Sequence, residues 1–458
     1  MNYLCAFLIS VSAFPACVLG GPDLICSEIQ GAILFGENGK GINAYSFGTT
    51  LCNIGDEEIP WDANSNEHPL ISQTLYKLKD HEIKQIGIGF VRHTTVPLAG
   101  DACGLGCSPA GNFALGVGCS DVSSAVINGS QGLMGPRSEV DPQSGFYPYP
   151  FTSINQVGDA VYKRLQVSQE DISDPDALYF VETQVISSSE TTLEARNNNM
   201  SYRQVTFQSG TLAPTLVGPT YSEQPAIFAW RDHGNGIGNP DPDVIISVAS
   251  IPDLDSTYVV GSHVEVLGED HSLARYAVLN LNGEVGIRHL GIPNMSCSIG
   301  EAEIVSVDFG APQYHDDLDD QIDSDPWRYN PVELFGYMHW NVDTFEDNAN
   351  ANAIRWGTMY NFSFEADGYV GLNNSEVDSV ALLFFGPGQS VDVYTWIHAW
   401  APVHCDPGIC FVDLNQDLEL DFFDIAFLFA NRVDYNQDGD FDFFDISSFL
   451  TDFNIGCP

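Results

Sequence analysis

The sequence predicts a mainly β protein: one or two antiparallel β-sandwich domains followed by a small α-helical module. Three observations predict it. Short runs that alternate apolar and polar residues, bounded by Gly, Asn, Asp and Pro, recur between residues 42 and 396, and a period of two marks half-buried strands. No long helical periodicity occurs before residue 420. Residues 410–458 then switch to helical spacing inside a duplicated acidic block.

Composition narrows the class. The 458 residues include 16 basic and 62 acidic ones, a formal net charge of −46. A chain this acidic repels phosphate backbones and anionic lipid, so nucleic acid is excluded as an expected partner. At 44% hydrophobic and 12% aromatic, the chain has enough apolar side chains for large cores, unlike a disordered acidic protein.

Taken in order, residues 1–20 read as a secretory signal peptide. They are apolar over 3–9 and 11–19, interrupted by Pro15 and followed by Gly20 and Gly21, too short for a bilayer span. No later run reaches the roughly 18 apolar residues a span requires, so the mature chain is expected to have none.

Of 11 cysteines, Cys5 and Cys17 fall in the leader, leaving Cys26, Cys52, Cys103, Cys107, Cys119, Cys297, Cys405, Cys410 and Cys457. In an exported chain these are expected to form disulfides. Cys103 and Cys107, with Cys52 and Cys119 nearby, suggest a knot of bridges in one region. Zinc is the alternative, but no histidine stands at ligand spacing beside them. Cys410 and Cys457 bracket the terminal module and are candidates for a bridge, with Cys405 as the other partner. The odd number leaves one thiol over.

Residues 21–218 are expected to form a β-rich domain. Residues 42–47 alternate. Residues 74–78 and 83–90 flank Lys79-Asp80-His81-Glu82 as a hairpin, and 178–185 and 202–207 are further strands. Residues 100–150 are rich in Gly, Ser and Pro. The plain reading is a disulfide-stapled surface loop; a loop this long also has the makings of a functional one. Pro214, Pro219 and Pro225 mark a boundary. Residues 219–400 then read as a β-sandwich, with strands at 244–248, 258–260, 263–266, 274–279, 304–307, 360–364, 380–385 and 391–396. Residues 401–409 read as a linker.

No nucleophile elbow, zincin helix, phosphate loop or dinucleotide fingerprint is present. Asp232 stands beside His233; Asp316, Asp317, Asp319 and Asp320 follow His315; Asp343 is near Glu346 and Asp347. Two carboxylates about 5–9 Å apart would serve a glycoside hydrolase. With 62 acids in the chain, such pairs arise by chance, and no catalytic residue is assigned. The 315–325 run reads as a solvated loop rather than a further cation site. His93, His233, His339 and His398 are candidates to converge on a metal, though singly spaced histidines are more often packed or at the surface. Trp327, Trp340, Trp356, Trp396 and Trp400 raise polysaccharide binding, against the plainer reading that tryptophan on a strand is core.

The terminal block states its chemistry most plainly. Asp413, Asn415, Asp417, Glu419, Asp421 and Asp424 occupy positions 1, 3, 5, 7, 9 and 12 of a loop. Asp434, Asn436, Asp438, Asp440, Asp442 and Asp445 repeat the pattern 21 residues on. That spacing supplies the six to eight hard oxygens a Ca²⁺ ion requires. Ile425, Leu428 and Phe429 match Ile446, Phe449 and Leu450, with Phe453 extending the second set, one apolar face on each short helix. So little apolar surface cannot hold the module alone, and metal binding and folding are expected to be coupled.

The block resembles a dockerin, and more narrowly the dockerin-like C-terminal anchor of exported bacterial proteins, through Phe422-Phe423-Asp424, Phe443-Phe444-Asp445 and the final Gly456-Cys457-Pro458. The resemblance implies calcium as cofactor and a cohesin-like or other cell-surface docking partner through residues 410–458. Two departures stand out. Leu418 occupies the position where the second loop has Gly439 and where the sharp turn prefers glycine, which points to a weaker first site. Phe422, Phe423, Phe443 and Phe444 stand where cellulosomal dockerins carry small or polar contact residues. Residues 73–90, 119–139 and 350–362 resemble the bodies of the same exported proteins, which implies no activity. The expectation is therefore an exported acidic β-rich protein displayed or docked through the calcium module, its body a non-catalytic surface, matrix or binding protein. The rival is an extracellular polysaccharide-acting glycoside hydrolase carried on a dockerin.

Overall fold

The structure is a computed structural model that describes residues 20–268, 271–293, 295–296, 303–313, 322–333, 337–367, 378–388, 395–399, 403–404, 425–426, 428–429, 446 and 449–450. It is mainly β, 46% strand against 9% helix, in several antiparallel sheets. The calcium-loop positions 413–424 and 434–445, with Cys297, Cys405, Cys410, Cys457 and the acidic run 316–320, lie outside the described residues. Those described in the terminal block are helical, and Leu428 and Phe449, at equivalent places in the repeat, are fully buried.

The first lobe is a ten-stranded sheet. Its main path runs Leu24–Glu37, Ile42–Asn53, Leu165–Ser168, Glu82–His93, Leu70–Lys79, Leu178–Ile186, Met200–Phe207 and Pro214–Tyr221. The central hairpin pairs Lys79 with Glu82, leaving Asp80 and His81 as a two-residue turn, both at positive φ (50° and 57°). That conformation matches the twist of a tight hairpin and is one Asp tolerates. The sheet curls until its ends meet. The Ile29 N–H donates to Thr220 Oγ1 (3.0 Å), Arg203 donates to the Ile29 carbonyl (2.7 Å), and the Ser201 hydroxyl donates to the Cys26 carbonyl (2.6 Å). Covering an exposed strand edge in this way removes a template for aggregation. Leu24, Ile29, Phe47, Leu51, Trp61, Leu75, Val181 and Val205 fill the core.

The second lobe is a sandwich of two five-stranded sheets. One runs Val244–Ile251, Ser256–Val266, His271–Asn280, Thr358–Asp367 and Glu303–Gly310. The other runs Arg328–Glu333, Tyr337–Asn341, Gly286–Pro293, Asp378–Phe385 and Thr395–Ala399. Tyr258, Val260, Tyr276, Val278, Tyr360 and Phe362 share one buried core with Ile287, Leu290, Trp340, Leu382 and Phe384 of the other sheet, as the inner faces of a sandwich do.

Over its central strands the other face of the first of these sheets is covered by protein. Val259, Ala277, Leu279 and Met359 pack on Tyr76, Leu78, Ile83 and Phe180 of the first lobe, with Phe228, Ala229 and Trp230 of the short helix Phe228–His233 between them. Gln85 accepts the Met359 N–H (2.6 Å) and Asn361 donates to the Ile83 carbonyl (2.7 Å). Ser256–Val266 is accordingly buried from Ser256 to Val264, where alternation alone would leave every second residue in water. Both lobes share this seam.

Cys52 pairs with Cys103 and Cys107 with Cys119. Cys26 is a free, buried thiol. The Gly/Ser/Pro-rich segment is more than a surface loop. Ser120–Ser123 joins the sheet beside Ile42–Asn53, Met134–Gly135 pairs with Val91 and Arg92, and Val140, Tyr147 and Phe151 are buried with Trp356 of the second lobe.

A candidate ligand cleft at the seam

A cavity opens where that segment crosses onto the sandwich. It measures about 340 Å³, and Phe90, Arg137, Glu139, Asp141, Glu284 and Arg355 line it. It is of the size that small-ligand sites occupy, about 300–1,000 Å³. Four segments converge there, 88–90, 137–146, 284–286 and 349–358, with Ile322 beside them.

Each polar wall is held in place. Arg137 donates from Nε to the Gly89 carbonyl (2.9 Å), reaches the Ser72 hydroxyl, and lies over the Trp356 ring at 5.0 Å. Arg355 donates to the Ala349 and Ala351 carbonyls (3.0 and 3.3 Å) and lies over the Phe385 ring at 5.2 Å. Asp141 accepts the N–H groups of Gln143 and Ser144 (2.9 and 3.2 Å), an Asx turn. Gln143 in turn donates to the Leu254 and Asp255 carbonyls and the Ser256 hydroxyl, fastening the loop to the sandwich. Gly357 takes a positive φ of 66°, and a Cβ there would lie 2.5 Å from Arg137, so only glycine lets the strand approach the guanidinium so closely.

The electrostatics are mixed. Desolvation first, then the charge of Asp141, holds the Glu284 carboxyl above its usual range although it lies at the rim. One oxygen of Glu139 is buried with no hydrogen-bond partner. Fixed guanidinium donors and carboxylate acceptors thus face the same space. Phe146, 56% exposed, is the apolar surface a ligand would meet.

The other candidates fare differently. Trp327, Trp340 and Trp356 are 1–6% exposed and form core, not a stacking platform; the Trp396 side chain and Trp400 lie outside the described residues. His93, His233 and His339 do not converge. His93 meets His68 (3.0 Å between ring nitrogens), His233 stacks on Phe180, and His339 stacks on His289; the His398 side chain lies outside the described residues. Asp232 pairs with Arg231 (2.8 Å), Asp343 with Arg328 (2.6 Å), and Glu346 accepts the Gly388 N–H (2.9 Å). All three stretches that stood out in the sequence, 73–90, 119–139 and 350–362, reach the cleft. Glu284 had no linear signal.

No protein-family model matches the chain, and no curated protein matches it. Among solved structures it aligns with the exo-chitosanase CsxA of Amycolatopsis orientalis at 7% identity and a TM-score of 0.17. Two complexes of variants of that enzyme with PNP-beta-D-glucosamine align at 8% identity and the same TM-score. The alignments cover 77% of this chain and 25% of those chains, so the chain spans about a quarter of their length.

Proposed function

We propose that this is an exported, acidic, β-rich protein, displayed or docked at a cell surface through a calcium-folded dockerin-like module at residues 410–458, whose body is a binding protein rather than an enzyme. Two disulfides support an oxidising exterior. The cleft carries the reading of the body. Its pinned arginines and its carboxylates offer donors and acceptors over one small volume, which suits a polyhydroxylated ligand such as a segment of polysaccharide. The test is a glycan array with the full chain in calcium, followed by titration of each hit against Arg355→Ala. Binding weakened at least tenfold by that substitution supports the reading; no bound glycan, or unchanged affinity in the variant, overturns it.

One observation favours the rival hydrolase. Desolvation first, then the charge of Asp141, raises the Glu284 carboxyl above its usual range, the direction a general acid requires. Release of reducing sugar by the full chain, abolished in Glu284→Gln, would decide for that reading.

A further inference from the structure

His81, Asp241 and His263 come from the hairpin turn of the first lobe, the segment preceding Val244–Ile251, and the strand Ser256–Val266. One ligand atom from each lies within 4.8 Å of the others. His81 Nδ1 is 2.9 Å from Asp241 Oδ2, and His263 Nε2 is 3.8 Å from the same oxygen. The two imidazoles are parallel, centroids 5.0 Å apart. We propose that these three side chains form a binding site for a zinc-class divalent ion, which clasps the hairpin of the first lobe to the sandwich.

His263 is what calls for a ligand. Its side chain is 4% exposed. Its Nδ1 has no hydrogen-bond partner, and its Nε2 stands beyond hydrogen-bond reach of the carboxylate. A buried imidazole gains from a partner on each nitrogen, and a cation between Nε2, His81 Nδ1 and Asp241 Oδ2 supplies the one that Nε2 does not find in the carboxylate. The surroundings are built to hold the set. Asp241 Oδ1 accepts the Asp243 N–H (3.1 Å), leaving Oδ2 for the ion. The Asp241 N–H donates to the Arg231 carbonyl (2.7 Å). Trp230, fully buried, donates from its indole to the His81 carbonyl (3.0 Å) and fixes the turn. Such supporting bonds orient first ligands in metal centres generally. Two imidazoles and one carboxylate suit zinc and its first-row neighbours, whereas calcium requires more oxygens than this site has. His81 is 39% exposed, so the fourth position opens to water.

The test uses the full chain saturated with calcium, which occupies the oxygen-rich terminal loops. Zn²⁺ is added, the protein is dialysed, and retained zinc is counted by mass spectrometry, with affinity read by chelator competition. Co²⁺ is substituted to report nitrogen coordination by visible absorption. The variants are His81→Asn, which suits the left-handed turn, and His263→Gln; should the buried substitution fail to fold, His81→Asn decides alone. The expected result is one retained zinc per chain, bound at least tenfold more weakly by His81→Asn, whose circular dichroism in chelator is unchanged. Native protein that retains no zinc, or a His81→Asn variant that binds it equally well, overturns the proposal.

Discussion

Removing the two disulfides one at a time should destabilise the first lobe by unequal, calculable amounts. Cys52–Cys103 spans 51 residues and Cys107–Cys119 spans 12. In the chain-entropy account the unfolded state regains loop freedom that grows as the logarithm of that span, about 4 kcal/mol for the longer loop and about 3 kcal/mol for the shorter. The loops do not overlap, so losing both should cost about 7 kcal/mol, within the range of a typical domain's whole stability, about 5–15 kcal/mol. The perturbations are Cys52→Ala with Cys103→Ala, and Cys107→Ala with Cys119→Ala, in calcium. The assay is urea unfolding, read by fluorescence and by alkylation of Cys26. That thiol is fully buried, and burial pushes it up to about 12. It should therefore stay unlabelled until the core opens and report the first lobe alone. Equal costs, or a larger cost for the 12-residue loop, would refute the entropic argument. Unchanged midpoints in both variants would refute the bridges themselves.

Three further outcomes are expected. Burial holds the Glu190 carboxyl at about 8, although it accepts the Leu24 N–H and the Asn199 amide. The folded chain then keeps a proton that the unfolded chain releases near its ordinary value of 4.5, so stability falls as pH rises from 4.5 to 8 and is level above, with a slope of at most about 1.4 kcal/mol per pH unit. Glu190→Gln should flatten that stretch of the stability–pH curve, and an unaltered slope would count against it. At Gly261 a Cβ would lie 2.9 Å from the Trp230 ring and 3.0 Å from Ile246; Gly261→Ala should therefore cost about 1–3 kcal/mol by overpacking the seam, which an unchanged urea midpoint would contradict. In the terminal module, Asp434→Ala or Asp445→Ala should abolish calcium-dependent folding of the second loop, followed by calorimetric titration of calcium; unchanged calcium affinity would sink the ligand assignment.

Which features were legible in the sequence depends on how far apart their parts lie along the chain. The hairpin could be read because alternation on both sides of the short polar turn Lys79-Asp80-His81-Glu82 is a local fact; the structure narrows the turn to Asp80 and His81, both at positive φ. The strands 274–279, 360–364 and 380–385 announced themselves in the same way and lie within Ile-, Val- and aromatic-rich strands of the sandwich. The cysteine region was legible, but the pairing was not, because connectivity is a property of the folded loop.

The rest was decided by tertiary structure. Period two assigns Ser256–Val266 to a sheet, but whether its second face meets water depends on the first lobe, and here that lobe covers it. Trp327, Trp340 and Trp356 are equally good as core or as sugar platforms until their neighbours are known, and those neighbours bury them. Glu284 becomes a candidate only when the fold sets it near Asp141, and His81 only when it is brought to Asp241, 160 positions away. Backbone periodicity records which face a residue takes within its own strand. Convergence of distant side chains leaves no periodic trace, because it is set by how layers stack.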